Sequence, residues 1–240
     1  MSIQSELRAL KNEDFAKVSQ RFFKTGKGEY GEGDRFLGLT VPQIRKIATA
    51  YLDLSFAETE KLLASRWHEE RLAGAIILVY QFERIGKNKT ISDRDRETHQ
   101  KKVFRFYLDH RASMNNWDIV DVSAPNIVGT YLLDKDRKEL YRLAKSKSLW
   151  DRRIAIVSTF AFIRNNDLDD TFQIAEILLR DPESLIHKAT GWMLREAGKR
   201  DKKALIVFLD RYAHQMPRTM LRYAIERFSD SERKRWMCKQ

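Results

Sequence analysis

Apolar side chains recur along most of the chain at intervals of three or four residues, which is the period of an amphipathic α-helix. Residues 3–23 predict one amphipathic helix or two short ones. From residue 41 onward the pattern predicts helices over 42–52, 55–64, 67–85, 93–110, 116–131, 136–146, 150–165, 168–180, 184–199, 201–214, 217–227 and 229–237. Turn-forming residues mark breaks at Gly86-Lys87-Asn88, Asn165-Asn166-Asp167, Asp181-Pro182 and Met216-Pro217. Because no segment alternates with the period of two that a half-buried strand requires, the chain is predicted to be all-α.

A repeat of helix pairs underlies this pattern. Charged residues at equivalent early points of the second helices are Arg71, Asp121, Arg153, Lys188 and Arg222, spaced by 50, 32, 35 and 34 residues. A repeat of this length indicates an α-solenoid, in which stacked antiparallel helix pairs bury a continuous core. We predict a single domain over residues 1–240, with these charges on its concave face. Four of the five are basic, as expected of a surface that binds a phosphate backbone.

Charge and cysteine content narrow the class of protein. Lys and Arg number 45 against 34 Asp and Glu, a formal net charge of +11, which favours a polyanionic partner: nucleic acid first, an anionic membrane surface second. The single cysteine, Cys238, excludes an internal disulfide framework and fits a reducing cytosol. The N-terminus lacks the basic and apolar runs of a signal peptide, and no apolar window is long enough to span a membrane. We therefore expect a cytoplasmic protein.

The only glycine-rich loop, residues 26–33, formally contains the pattern GxGxxG. No predicted strand precedes it, and Glu29 and Glu32 lie inside it. The missing strand and the two acidic residues both disfavour a dinucleotide or nucleotide-phosphate site. We interpret the loop as a mobile surface segment.

The most informative stretch is Asn115-Asn116-Trp117-Asp118-Ile119-Val120-Asp121. A helix here places Trp117 and Asp121 one turn apart on the same face. An aromatic surface beside a carboxylate, in so basic a chain, suits a ligand that is cationic and attached to a polyanion. The alternative is that Trp117 belongs to the core and Asp121 caps or salt-bridges a helix. Two further stretches are interpreted as partners: Trp150-Asp151-Arg152-Arg153 and Lys188-Ala189-Thr190-Gly191-Trp192.

Together with residues 36–42, these stretches resemble the motifs of a known protein family, and the resemblance covers most of the chain. The motifs are Phe36-Leu37-Gly38-Leu39-Thr40-Val41-Pro42, Trp117-Asp118-Ile119-Val120-Asp121, Trp150-Asp151-Arg152-Arg153-Ile154-Ala155-Ile156 and Lys188-Ala189-Thr190-Gly191-Trp192-Met193-Leu194-Arg195-Glu196. In this order and spacing, the chain resembles the AlkD-type DNA alkylation-repair glycosylases, which are built from HEAT-like helical repeats. The resemblance implies excision of cationic alkylated purines, such as N3-methyladenine and N7-methylguanine, from duplex DNA.

The resemblance also implies a lesion-facing site formed by Trp117, Asp121, Arg153 and Trp192. The family often has an aromatic residue before the first of these tryptophans, where this chain has Asn116. Members also present an aromatic residue near the N-terminus. The candidates here are Phe22, Phe23 and Tyr30.

The chemistry can be argued for these residues. Alkylation at N3 or N7 leaves the purine positively charged, so it departs without a strong general acid. The sugar then becomes oxocarbenium-like, and a carboxylate near C1′ stabilises it and orients the attacking water. Asp121 is the predicted carboxylate, whereas Asp118 is predicted to be an N-terminal cap or salt-bridge partner. Trp117 and Trp192 offer the lesion cation–π contacts of about 1–2 kcal/mol.

The basic residues complete the predicted DNA site. Arg153 is predicted to clamp a phosphate at the lesion, with an ion pair to a neighbouring helix as the alternative. Further predicted contacts to backbone phosphates are Arg152, Lys188, Arg195, Arg218 and Arg222, with plain solvated surface as the alternative for each. The alternative for Trp192 is core packing beside Gly191. The remaining tryptophans are assigned to packing between repeats (Trp67, Trp150) and to a terminal cap (Trp236).

We therefore predict a DNA glycosylase of base-excision repair that acts as a monomer on alkylated double-stranded DNA, associated with the nucleoid when bound. The five histidines are scattered, so neither a metal nor another cofactor is predicted. The alternatives are a non-catalytic HEAT-repeat module that binds or senses damaged DNA, and a solenoid that binds protein or RNA. Most glycosylases extrude the target base into a pocket, whereas a shallow solenoid face also allows catalysis on a stacked base. The sequence leaves these two modes open.

Overall fold

Helices provide nearly all of the regular structure in residues 2–238, the part of the chain that this computed structural model describes. Within that part the only β-type pairing is an isolated bridge between Arg35 and Trp67. The all-α prediction is confirmed. No helix within residues 2–238 combines the length and the hydropathy needed to span a bilayer.

The helices follow the predicted order closely. They are α1 (Ile3–Ala9), α2 (Glu13–Phe22), α3 (Val41–Ala48), α4 (Phe56–Leu63), α5 (His68–Lys87), α6 (Asp93–Asp109), α7 (Trp117–Ala124), α8 (Lys138–Ala144), α9 (Leu149–Arg164), α10 (Asp169–Ile177), α11 (Ser184–Arg200), α12 (Lys202–Tyr212), α13 (Arg218–Ala224) and α14 (Asp230–Met237). Short 3-10 turns follow α3, α6 and α12. Local capping explains several of the starts. Ser55 and Ser229 accept backbone N–H bonds from Glu58 and Glu232, whose side chains bond back to the serine N–H groups.

One of the two alternatives for residues 3–23 is confirmed, and two other boundaries differ from the prediction. Residues 3–23 form two helices, because Asn12 caps the second by accepting from the Phe15 N–H at 3.0 Å. Helix α5 continues through Gly86 to Lys87 instead of breaking there. The predicted helix 116–131 changes to a π-helical turn over Pro125–Gly129, where proline has no N–H to continue the α-helical ladder.

The chain divides into two compact units, Met1–Ser123 and Ala124–Gln240. In the first unit α5 is the central helix and packs against α1, α3, α4 and α6. Residues 68–79 of this helix are all buried, so its charged residues need partners within the fold. The prediction of a single domain over 1–240 stays a prediction.

In the second unit α9 and α11 are central. Helix α9 packs against α8, α10, α11 and the π turn, while α11 also packs against α12 and α13. Two glycines let helix backbones approach closely. A Cβ at Gly129 would lie 2.1 Å from the carbonyl oxygen of Ser158, and one at Gly191 would lie 2.5 Å from that of Met220. Successive helices packed in this repeat-like way define an α-solenoid, as the sequence predicts.

Candidate functional site

Trp117 begins α7 inside a cluster of aromatic side chains from the N-terminal region. Its ring stacks on Phe23 at a centroid distance of 5.2 Å and an interplanar angle of 22°. Phe22 meets it edge-on at 5.9 Å and 68°. Its indole Nε1–H donates to the hydroxyl of Tyr30 at 3.3 Å. The three aromatic residues offered by the sequence as N-terminal contacts therefore all meet at Trp117, which is half-buried.

A buried chain of charged groups fixes the start of α7. His68 Nδ1 bonds Asp34 Oδ2 at 3.1 Å, and His68 Nε2 bonds Asp118 Oδ2 at 2.8 Å. The other oxygen of Asp34 accepts from the guanidinium of Arg71. The side chains of His68, Asp34 and Arg71 are only 2%, 4% and 6% exposed. We call Asp34, His68, Arg71 and Asp118 the buried charge chain.

The histidine in this chain is cationic at neutral pH. Burial opposes a charge on His68, but the carboxylates of Asp118 and Asp34 outweigh burial and raise the pKa of the imidazole to about 9. Burial also raises the pKa of Asp34, but the hydrogen bond from His68 and the charge of Arg71 outweigh it and hold that pKa below its usual range. Both imidazole nitrogens then act as donors, one to each carboxylate.

Two asparagines connect the buried charge chain to α7. Arg71 Nε donates to the side-chain oxygen of Asn115 at 3.1 Å. Asn116 is fully buried, and its amide oxygen accepts from the Trp117 N–H at 2.8 Å. Asn116 thus supplies a buried acceptor at this position, which an aromatic side chain could not provide. The backbone that carries Trp117 is therefore held from both the preceding residues and Asp118.

The two carboxylates of α7 have different surroundings. Asp118 pairs with His68, and its Oδ1 also accepts from the Ile119 N–H at 2.9 Å. Its predicted role as a salt-bridge partner is confirmed. Asp121 follows Trp117 by one turn of the same helix, and its side chain is half-buried. Trp117 and Asp121 therefore lie on α7 with the spacing that the sequence predicts.

The prediction that Arg71 lines an open basic face is wrong. Its side chain is buried and donates to Asp34, to Asn115 and to the Ser65 carbonyl oxygen at 2.9 Å. A phosphate has no access to a guanidinium committed in this way. Local spacing could not reveal this, because Asp34 lies 37 residues away and Asn115 lies 44 residues away.

In the second unit, Arg153 and Arg152 are tied to the fold. Arg153 is 5% exposed and donates to the Leu185 carbonyl oxygen at 2.8 Å. Arg152 makes two bonds to Asp181, at 2.5 and 3.2 Å, and further bonds to the carbonyl oxygens of Ser146 and Lys147. These contacts favour a structural role for Arg152 over the predicted phosphate contact.

The other predicted DNA contacts differ in exposure. Lys188, Arg218 and Arg222 are exposed. Arg195 pairs with Glu226 and with Glu196 and is 18% exposed. Trp192 is half-buried, with its ring 5.8 Å from that of Phe160. Trp236, assigned to a terminal cap, is buried, whereas Trp67 and Trp150, assigned to packing between repeats, are half-buried.

The glycine-rich loop satisfies its own amides. Glu29 accepts from the Gly26 N–H at 2.9 Å, and Glu32 accepts from the Gly28 N–H at 2.8 Å. The loop's carboxylates therefore occupy the positions that phosphate oxygens would need. Within residues 2–238, no group of three or more His, Cys, Asp or Glu side chains is arranged to hold a metal ion.

Sequence reasoning missed Asp34 and His68. Their partners are remote in sequence: His68 lies 34 residues from Asp34 and 50 from Asp118. The available signal was a histidine followed by two acids, Glu69 and Glu70, at the start of a long apolar helix. Charged residues in such a helix are buried, and buried charges need partners.

Both units consist of successive packed helices, and the chain therefore belongs to the α-solenoid class of all-helical proteins. A model of the family described as "DNA alkylation repair enzyme" matches residues 3–228, and the chain belongs to that family. The family description gives its role as the repair of alkylated DNA.

Among solved structures, the chain is similar to one described as "Predicted DNA alkylation repair enzyme from Enterococcus faecalis". The TM-score is 0.65 at 16% sequence identity, and the match covers 92% of this chain and 97% of that chain. At this identity the likeness shows the fold alone. No curated protein matches the chain.

Proposed function

We propose that this protein is an AlkD-type DNA glycosylase of base-excision repair with HEAT-like repeats. Its substrates are cationic alkylated purines in duplex DNA, such as N3-methyladenine and N7-methylguanine. The observation that carries the proposal is the placement of Trp117 and Asp121 one turn apart on α7, in a member of a DNA alkylation repair family. The buried charge chain supports it, because it gives Trp117 a fixed position before any ligand binds.

In the proposed reaction the alkylated purine leaves as the glycosidic bond breaks, and its positive charge passes to the sugar. The carboxylate of Asp121 stabilises the oxocarbenium-like sugar and orients the water that attacks C1′. The half-buried ring of Trp117 packs against the lesion nucleotide. Asp118 takes no part in the chemistry, since its oxygens are bonded to His68 and to the Ile119 N–H.

Residues of the second unit hold the DNA in this proposal. The half-buried Trp192 packs against the bound DNA, and the exposed Lys188, Arg218 and Arg222 contact backbone phosphates. Arg153 is 5% exposed and acts through its bond to the Leu185 carbonyl oxygen rather than by direct contact with the lesion. Arg195 and Arg152 contribute less, because both are paired with acids of the fold. We also propose that the protein works as a monomer in the cytoplasm, at the nucleoid when bound to DNA.

The test is release of methylated bases from methylated duplex DNA by wild type and Asp121→Asn. We expect wild type to release N3-methyladenine or N7-methylguanine, and the variant to be at least about 100-fold slower while still binding DNA. Asp53→Asn makes the same change at an exposed residue and should keep wild-type activity. DNA binding by folded wild type without release would contradict the proposal and favour a non-catalytic binding module.

A further inference from the structure

A cavity of about 380 Å³ opens between the last turns of α9 and α11 in the second unit. The residues that line it are Phe160, Ile163, Arg164, Glu196, Lys199 and Arg200. The ring of Phe160 also lies 5.8 Å from the ring of Trp192. The cavity is therefore a neighbour of Trp192, which is proposed to pack against bound DNA, and it includes none of the basic residues assigned so far.

Two of the cations in this cavity have no acid partner. Among residues 2–238, no carboxylate pairs with Arg164 or Arg200, and both side chains are exposed. Arg152 and Arg195, by contrast, are paired with acids of the fold. The charges of the two unpaired arginines are thus available to a ligand that comes from outside the fold.

An aromatic ring holds the guanidinium of Arg164 in position. Its Cζ atom lies 4.2 Å from the centroid of Phe160, which is within the range of a cation–π contact. A guanidinium stacked on a ring keeps the N–H groups at its edge free, and these can bond two oxygens of one phosphate. Because the ring places this arginine beforehand, less side-chain freedom is lost when a ligand binds.

The cavity stays positive after the charges of the fold itself are counted. Glu196 accepts from Lys199 at 2.7 and 2.8 Å and from Arg195 at 3.0 and 3.1 Å, so its carboxylate is already satisfied. The lining contains three cations and one carboxylate, a formal charge of +2. The carbonyl ends of α9 and α11 contribute about −0.5 each, which leaves an excess of about +1. An anion is favoured here, and a cation is disfavoured.

We propose that this cavity binds one phosphodiester group of the DNA strand, beside the nucleotide that packs against Trp192, with Arg164 as its main contact. The inference rests on the proposed function, because that function makes DNA the ligand of the second unit. A backbone phosphate carries one negative charge and presents two free oxygens, which match the charge of the cavity and the paired N–H groups of the guanidinium. Arg164 thus provides the phosphate contact on α9 for which Arg152 is not available.

The test compares two arginines that each lie over an aromatic ring. Arg164→Gln removes the charge from the cavity and keeps most of the stem that packs on Phe160. Arg211→Gln makes the same change on α12, outside the cavity, where the Cζ atom of Arg211 lies 5.2 Å from the Tyr212 ring. Binding to an undamaged labelled duplex is followed by fluorescence anisotropy between about 50 and 200 mM salt.

We expect Arg164→Gln to weaken binding by at least about threefold, as the loss of a partly exposed ionic contact provides. The slope of log K against log salt concentration should become shallower by about 0.9, because one phosphate is no longer neutralised. Arg211→Gln should match wild type in both respects. Equal effects of the two substitutions would overturn the proposal, since net charge alone would then account for them.

A double-mutant cycle tests whether Arg164 and Arg200 hold the same phosphate. Side chains that share a partner are not additive, so the combined loss of affinity should differ from the product of the two single losses by at least about twofold. Independent effects of Arg164→Gln and Arg200→Gln would show two separate surface contacts and would overturn a common site.

A free phosphate ion has the same chemistry as the phosphodiester, and titration calorimetry distinguishes the two sources. We expect no saturable binding of inorganic phosphate to wild type below about 10 mM, because one exposed ionic contact provides less free energy than a millimolar Kd requires. Saturable binding of phosphate that is lost in Arg164→Gln, with DNA affinity unchanged in that variant, would assign the cavity to the free ion and overturn the proposal.

These measurements do not depend on base release, so the inference and the proposed function fail separately. The expected effects of Arg164→Gln in a protein that releases no methylated base would contradict the glycosylase and leave the phosphate site standing. Normal base release together with unchanged DNA binding by Arg164→Gln would overturn the phosphate site alone.

Discussion

At the residue scale, the defining feature of the first unit is an imidazolium held between two carboxylates. His68 is 2% exposed, so its charge survives only because Asp118 and Asp34 bond both ring nitrogens. Removing one partner of such a group leaves a buried charge uncompensated, which is strongly destabilising. The same bonds connect α5 to the start of α7. The stability of the first unit and the position of Trp117 therefore both depend on the protonation of His68.

The protonation of His68 makes stability depend on pH in a definite direction. Since its pKa is raised from 6.5 to about 9 in the folded protein, its contribution is fully present below pH 6.5 and is lost as the pH rises through 9. We expect the free energy of unfolding in urea to fall by an amount on the order of 3 kcal/mol between pH 6.5 and pH 9.5.

The comparison of two variants attributes this fall to one residue. His68→Gln should be less stable at pH 6.5 and should show little further loss towards pH 9.5. His214→Gln, at an exposed position, should keep the wild-type dependence. A wild-type free energy of unfolding that stays constant over this range would contradict a buried imidazolium.

At the element scale, the sequence predicts the helices well because each is specified locally. Apolar spacing identifies long helices such as α9, and serine caps mark starts such as those of α4 and α14. The exceptions have non-local or backbone causes. Gly86 looks like a break but lies in α5, where packing against α6 outweighs its weak helix propensity. Trp117 and Asp121 are predictable as a pair on one helix, whereas their support from Asp34 and His68 is not.

Close approach of two helix backbones makes Gly129 sensitive to a single methyl group. An added Cβ would lie 2.1 Å from the Ser158 carbonyl oxygen and 2.8 Å from the Ala161 Cβ, so the π turn and α9 would have to separate. We expect Gly129→Ala to lower the free energy of unfolding in urea by about 3 kcal/mol.

Gly86→Ala is the control, because its added Cβ meets only the flexible side chain of Gln100. Alanine is also the better helix former, so this variant should be neutral or up to about 1 kcal/mol more stable. Equal effects at the two glycines would contradict the close approach of the Gly129 backbone to α9.

At the scale of the whole molecule, the formal net charge is +11, but only some of the basic side chains are available to contact DNA phosphates. Arg71, Arg152 and Arg195 are paired with acids within the fold. A count of basic residues therefore overstates the number of phosphate contacts. The sequence could not separate paired from available arginines, because partners such as Asp181 and Glu226 lie 29 and 31 residues away.

The salt dependence of DNA binding measures how many cations contact phosphates. Each contact released by salt contributes about −0.9 to the slope of log K against log salt concentration. Lys188 is exposed and is a proposed phosphate contact, so Lys188→Ala should make the slope shallower by about 1 and weaken binding on any DNA sequence.

Lys203→Ala removes the same charge from an exposed position of α12 that is not a proposed contact, and should leave the slope unchanged. Fluorescence anisotropy with a labelled duplex between about 50 and 200 mM salt resolves the difference. Equal slopes for the two variants would show that Lys188 acts only through net charge, and the phosphate contact would then be assigned to other residues.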